Sequence, residues 1–295
     1  MTTFKRIALF TRRKITPPIV DTLNTVHTFL CNHGVSVVWE EETAAALNLN
    51  EETVPASELG NKSDLVIIIG GDGSLLNAAQ ILVDQQVPIL GINRGQLGFL
   101  ADINPDNVTA KLNEILQGHY TEEQRFLLYA DIRQDAHAPI VGYTALNEVA
   151  LHAGHAAQLI EFEVYIDERF VYRQRSDGLI VSTPTGSTAY ALSGGGPILH
   201  PGLECIVLVP MLPHTLTSRP IVVSSEFKVD IVITANVPGK PDVSWDGHNT
   251  YSLNPYDRIT IRRHAQKLKL IHPGDYDYYQ TLRSKLQWGS KLTSE

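Results

Sequence analysis

The residues best placed to do chemistry are Gly70-Gly71-Asp72-Gly73, which follow directly on Leu65-Val66-Ile67-Ile68-Ile69, five apolar residues of which four are β-branched. Such a run predicts a buried strand, and glycines at its end let the backbone turn and meet a ligand with no Cβ in the way. In open parallel sheets, ligands gather beyond the carboxyl ends of the strands. A helix opens immediately afterwards, with Leu75, Leu76, Ala79 and Leu82 on one side. Its N-terminal N–H groups point at the same place and favour phosphate. The pattern is neither a P-loop nor the G-x-G-x-x-G fingerprint. An Asp-Gly turn that only reverses the chain, with Asp72 capping the helix, fits these four residues equally well.

Two later segments carry further polar groups. Asn147-Glu148 interrupts the otherwise apolar Ala145-Leu146-Asn147-Glu148-Val149-Ala150-Leu151. An amide beside a carboxylate there could read an adenine edge and a ribose hydroxyl, but on residue types alone a surface pair at a strand kink is the better reading. Arg173-Gln174-Arg175-Ser176-Asp177-Gly178 leads through Leu179-Ile180-Val181 into Ser182-Thr183-Pro184-Thr185-Gly186-Ser187-Thr188-Ala189-Tyr190. Five hydroxyl residues in seven positions exceed what one helix cap requires. Gly194-Gly195-Gly196-Pro197 then breaks the chain. The segment reads as a polar pocket wall.

The elements that must position these groups fall into two patterns. In the first hundred residues strands and helices alternate. Residues 5–10 read as a buried strand; after Pro17-Pro18, Ile19, Leu23, Val26 and Leu30 recur at helical spacing until Gly34. Residues 35–39 give the next strand, Glu40-Glu41-Glu42 a solvated helix or loop, and residues 88–92 another strand. Strands without polar alternation, separated by helices, predict a parallel sheet covered on both faces. Asn104-Pro105 and Gly118 bracket one more helix. Beyond it the period drops to two: Leu128, Ala130 and Ile132; Ile160, Phe162, Val164 and Ile166; Phe227, Val229, Ile231 and Ile233. Those are half-buried antiparallel strands, so the second half is mainly β.

At 295 residues with 43% hydrophobic and 19% charged residues, the chain has the composition of a globular protein of one large or two ordinary domains. A net charge of −8 argues against a nucleic-acid surface, though not against small anions held by local backbone donors. No apolar run approaches the length that spans a bilayer, and the N-terminal apolar stretch is too short for a signal peptide. Cys31 and Cys205 stand far apart without metal-ligand spacing, which fits a reduced, cytoplasmic compartment.

In this order, Gly70-Gly71-Asp72-Gly73, Gly91-Ile92-Asn93 with Gly98-Phe99-Leu100, Asn147-Glu148, the run from Ser176-Asp177-Gly178 to Tyr190, and Val209-Pro210 with Pro213-His214-Thr215-Leu216 resemble the bacterial NAD kinase family across nearly the whole chain. The resemblance implies ATP-dependent phosphorylation of the 2′-hydroxyl of the adenosine ribose of NAD, giving NADP and ADP, with Mg²⁺ as the divalent ion accompanying ATP. It implies an N-terminal α/β, Rossmann-like domain (residues 1–103), an all-β C-terminal β-sandwich (104–268) and a tail (269–295) returning to the first domain. The family is commonly homotetrameric, with the dinucleotide site shared between subunits.

Carried over by position, Asp72 is the proton acceptor and Gly73 lies beside the dinucleotide, while Gly70, Gly71 and Gly73 face the ATP phosphates. Asn147, Glu148, Arg175, Asp177, Thr188, Ala189, Tyr190, Ala191, Leu192 and Ser193 line the NAD site. Gln158 and His248 fall at further contact positions, with His248 standing where a glutamine is expected. The residue two before the Asp-Gly step varies in that family and is linked to acceptance of NADH. Arg175, paired through its rigid fork with Asp177 or another carboxylate, therefore implies a preference for NAD. The resemblance does not indicate which residues hold the metal. A lipid kinase sharing the glycine-rich turn would need a membrane-binding element, and the sequence carries neither a basic amphipathic helix nor a lipid anchor. A phosphofructokinase-like enzyme leaves the β-rich half unexplained, and a non-catalytic dinucleotide sensor leaves Asp72 without a task.

Overall fold

Leu65–Gly70 is a strand buried at every residue, and it sits between Arg6–Thr11 and Ile89–Asn93 in a parallel sheet. The sheet continues through Ser36–Glu40 to the short edge strand Thr53–Val54. On the other side, Leu270 and Ile271, near the end of the long strand Asp257–Pro273, pair in parallel with Ile89 and Leu90. This computed structural model describes residues 3–11, 15–94, 98–134, 139–154, 159–235 and 239–288. Met1–Gln124 together with Leu268–Glu295 form the first of two units, and Arg125–Lys267 form the second.

In the first unit, the helical spacing after Pro17-Pro18 gives Pro17–Asn32, whose Leu23, Val26 and Leu30 bury against Ile7, Leu9, Ile67 and Ile69. Proline suits the first helical turn because its missing N–H has no partner there anyway. The acidic stretch is more ordered than its composition suggests. Glu40 is only 4% exposed and caps the helix Glu41–Leu47 through the N–H groups of Glu42 and Thr43. The Asn104-Pro105 start yields a 3₁₀ turn, Pro105–Asn107, running into Val108–Leu116. A last helix, Tyr278–Leu286, is capped by Asp277. Among the described residues no helix is long and apolar enough to cross a membrane.

The second unit is a sandwich of two antiparallel layers. One runs Arg169–Ser176, Ile160–Ile166, Val229–Ile233 and the first part of Asp257–Pro273, joined by Tyr120–Gln134 and Val141–Ala145. The other runs Ile221–Ser224, Cys205–Met211, Gly178–Ser182, Glu148–His152, Asp242–Trp245 and Asn249–Ser252. Residues alternating along both layers, among them Leu128, Phe162, Val164, Leu179, Ile231 and Trp245, meet in one apolar core. This is how period-two strands with one apolar face bury it. Phe227 falls outside the alternation: it precedes its strand in a turn closed by Phe227 N–H to Ser224 O (3.2 Å) and is exposed.

Candidate functional site

Asp72 does not cap its own helix. Gly71 is the N-cap, Asp72 opens Asp72–Leu82, and the carboxylate turns away to the segment after Ile89–Asn93. Its Oδ2 accepts from Phe99 N–H (2.8 Å), and its Oδ1 accepts from Leu100 and Ala101 N–H (both 3.2 Å). A Cβ on Gly98 would overlap Oδ1, so glycine there is a steric requirement of the contact. The helix-cap alternative for Asp72 is thus overturned. Three N–H donors fix the carboxylate's plane, and since a carboxylate offers about four acceptor sites, Oδ2 keeps one of them. Gly71, Asp72 and Gly73 are half-buried, whereas Gly70 is buried as the last residue of the strand.

Asn147-Glu148 is not a surface pair. Glu148 is 7% exposed, and its Oε2 is shut off from solvent with no hydrogen-bond partner among the described residues. The turn is held by a second carboxylate the sequence did not single out. Asp246 Oδ2 accepts from Leu146 N–H (2.8 Å), and its Oδ1 accepts from Asn147 (2.8 Å) and Glu148 N–H (3.1 Å). Asp246 N–H in turn donates to Glu148 O (3.0 Å). To do this Asp246 adopts φ 49°, a left-handed conformation that aspartate tolerates better than most residues. Asp-Gly in a turn between two strands was the available signal.

The hydroxyl run braces the same turn from the other side. Thr183 Oγ1 donates to Leu146 O (2.6 Å), Thr183 N–H and Ser182 Oγ donate to Asn147 O (2.9 and 3.1 Å), and Ser187 Oγ donates to Pro184 O (2.6 Å). Ser182, Thr183, Thr185 and Ser187 are buried: the hydroxyls of Ser182, Thr183 and Ser187 satisfy backbone carbonyls, and Thr185 Oγ1 accepts from Arg125 Nη1 (3.1 Å), so these side chains brace the turn where a pocket wall was expected. A Cβ on Gly186 would overlap Asn147 O, which explains the glycine in the middle of the run.

Of the remaining expected residues, Thr188, Ala189 and Leu192 are half-buried, and Tyr190 and Ser193 are exposed. Ala191 is fully buried against Ile180, Val207 and Val209. The Tyr190 ring stacks on His152 (5.7 Å between centroids, 22°), whose Nε2 lies 3.2 Å from Ser244 Oγ. Burial holds the His152 imidazole below its usual pKa. His248, at the exposed tip of the Asp246 hairpin, places Nδ1 2.5 Å from Asp246 O. Asp177 is half-buried. Arg175 is exposed and makes no ion pair among the described residues, contrary to the expected pairing with Asp177. Arg173, two residues earlier on the same face, takes the nearby carboxylate instead, with Nε 2.8 Å from Glu161 Oε1. Gln158 lies outside the described residues. Among those residues no group of three or more His, Cys, Asp or Glu side chains could hold a metal ion.

Burial raises the Glu148 carboxyl first and the charge of Asp246 second, to a pKa of about 8. Both follow from the geometry: an acid without a partner inside protein resists ionisation, and a neighbouring carboxylate resists it further.

Residues 8–120 match the model of the ATP-NAD kinase N-terminal domain, and residues 146–273 match that of the ATP-NAD kinase C-terminal domain. The chain is 51% identical over 276 residues to an NAD kinase of Pseudomonas fluorescens (strain Pf0-1), covering 93% of each. It is 50% identical over 293 residues to that of Chromohalobacter salexigens, covering 99% of each. Among solved structures, the NAD kinase from Archaeoglobus fulgidus in complex with ATP superposes with a TM-score of 0.75 at 28% identity, over 96% of this chain and 98% of that one. Yeast NADH kinase complexed with NADH shares the fold, with a TM-score of 0.88 at 24% identity over 98% of this chain and 90% of that one. By both domain models and by its close relatives, the chain belongs to the ATP-NAD kinase family.

Proposed function

We propose that the protein transfers the γ-phosphoryl group of ATP to the 2′-hydroxyl of the adenosine ribose of NAD, releasing NADP and ADP. The observation that carries the assignment of roles is Asp72 itself. It follows a buried strand and glycines, its plane is fixed by three N–H donors, and one acceptor site remains on Oδ2. A hydroxyl donating to that site is oriented with its oxygen free to attack phosphorus. Phosphoryl transfer passes through a loose transition state, so positioning and charge neutralisation outweigh early proton removal. Asp72 orients the ribose oxygen throughout and takes the proton late.

The N-terminal N–H groups of Asp72–Leu82 and the Gly70, Gly71 and Gly73 backbone suit the ATP phosphates. Mg²⁺ bound to the ATP phosphates would supply neutralisation of the charge on the transferred group. No step is assigned to an ion held by protein side chains. Asn147 and Glu148 hold the adenosine half of NAD, with Thr188 and Tyr190 beside it. The working assembly is a homotetramer in the cytoplasm with the dinucleotide site shared between subunits. Purified protein incubated with ATP, Mg²⁺ and NAD should yield NADP carrying its phosphate on the adenosine ribose. Absence of NADP, with NAD bound and ATP intact, would leave the chain a dinucleotide sensor. A fully active 32.6 kDa monomer in light scattering at assay concentration would contradict the shared site.

A further inference from the structure

Glu148 and Asp246 are two carboxyl groups built into one turn, and their surroundings differ in kind. Asp246 has three backbone N–H donors spread over both oxygens, an arrangement that stabilises the ionised form. Glu148 is just as buried, yet its Oε2 meets no donor among the described residues. Two neighbouring carboxyls in unlike surroundings divide the roles according to environment. The groups facing Glu148 do not reverse this division. Ser182 is its partner across the sheet and has given its hydroxyl to Asn147 O; Trp245 faces the next residue, Val149; His248 lies against the carbonyl oxygen of Asp246.

We infer that Glu148 meets the dinucleotide as a neutral carboxylic acid, donating its O–H to an acceptor atom of the adenosine half, and that Asp246 is the positioning residue that keeps it so. This rests on the reading of Asn147-Glu148 as part of the NAD site. Two consequences follow from the chemistry. A neutral acid offers both a donor and an acceptor to a nucleoside, where a carboxylate offers only acceptors. It also removes one negative charge from the neighbourhood of a ligand that carries a diphosphate, where a like charge would repel. The raised pKa of about 8 agrees with the arrangement.

The test compares NAD affinity and KM across pH in wild type, Glu148→Gln, Glu148→Ala and Asp246→Asn. Wild type should lose NAD affinity about tenfold for each unit of pH above the pKa of the acid, because only the protonated form binds well. Glu148→Gln keeps a donor at the same position, so its affinity should be independent of pH and lie well above that of Glu148→Ala, which loses about tenfold or more at neutral pH. Asp246→Asn removes the repelling charge and should move the alkaline limb toward lower pH.

Calorimetry of wild type with NAD near pH 9, in buffers of different ionisation enthalpy, gives a readout that depends on no variant folding. Uptake of about one proton per NAD is expected. No proton uptake, an affinity flat to high pH, or a Glu148→Gln variant as weak as Glu148→Ala would each overturn the inference. Wild type that binds no NAD at any pH would instead overturn the underlying assignment of the site.

Discussion

Two carboxylates in this protein are held by the same device, and the proposed function gives them different work. Asp72 accepts from the amides of Phe99, Leu100 and Ala101; Asp246 accepts from those of Leu146, Asn147 and Glu148. Each pins a three-residue turn that comes from elsewhere in the chain. Each turn is also kept close by a glycine with no room for a Cβ, Gly98 against Asp72 itself and Gly186 against Asn147 O. The difference lies in what stands beside the carboxylate. Asp72 is half-buried, next to glycines and a helix N-terminus, where phosphate is welcome. Asp246 is buried next to Glu148, a second acid whose pKa is raised by burial first and by the Asp246 charge second. A carboxylate with its plane fixed by backbone donors can therefore serve chemistry directly, or serve recognition through a neighbour.

Substitutions sharpen this contrast, and the largest effect is expected at Asp72. Asp72→Asn should lower kcat by about 10²-fold or more if proton acceptance works at the usual general-base scale; near-normal turnover would remove Asp72 from the chemistry. Next comes Gly186→Ala, which forces a methyl into Asn147 O. Overpacking of that kind costs about 1–3 kcal/mol of stability, and chemical denaturation should show it together with a raised KM for NAD. Asn147→Ala should weaken NAD binding by about tenfold, the loss of one buried hydrogen-bonding partner, with ATP binding little changed in calorimetry.

The Glu148 proton also bears on stability, over a defined range of pH. Its folded pKa is raised from 4.5 to about 8, so the folded state keeps a proton that the unfolded chain releases between those values. That contribution is complete below pH 4.5 and is lost as pH rises through about 8. The thermal midpoint of wild type should fall across that window relative to Glu148→Gln; parallel curves would mean Glu148 is ionised throughout. The smallest effect is expected at Arg175. Exposed and without an ion pair among the described residues, it should alter the ratio of kcat/KM for NAD and NADH by less than about threefold when changed to Gln, as exposed charges contribute little.

Much of the frame was legible because periodicity reports burial. The apolar run at residues 65–69 could only be an inner strand, and the alternation at residues 160–166 only a half-buried one. Asp72 stood out as a candidate because its glycines are adjacent in sequence. The Asp246 device did not, because its acceptor and its donors are about a hundred residues apart and the donors are backbone amides, which carry no side-chain signature. For the same reason the hydroxyl run looked like a ligand-facing wall: sequence shows hydroxyls, and only the fold shows that Thr183 and Ser182 satisfy the carbonyls of Leu146 and Asn147. Glu148 was misread as exposed since acids seldom lie buried, and here one is buried with a second acid beside it.

The division of labour between the two carboxylates is tested most directly by steady-state kinetics of Asp72→Asn and Asp246→Asn under identical conditions, with NAD varied at saturating ATP and Mg²⁺. Removing an interaction used only in the transition state lowers kcat, whereas removing one used equally in substrate binding raises KM. The expected result is a loss in kcat with KM for NAD nearly unchanged at Asp72, and a raised KM for NAD with kcat nearly unchanged at Asp246. Both variants losing in the same parameter, or the reverse assignment, would contradict it.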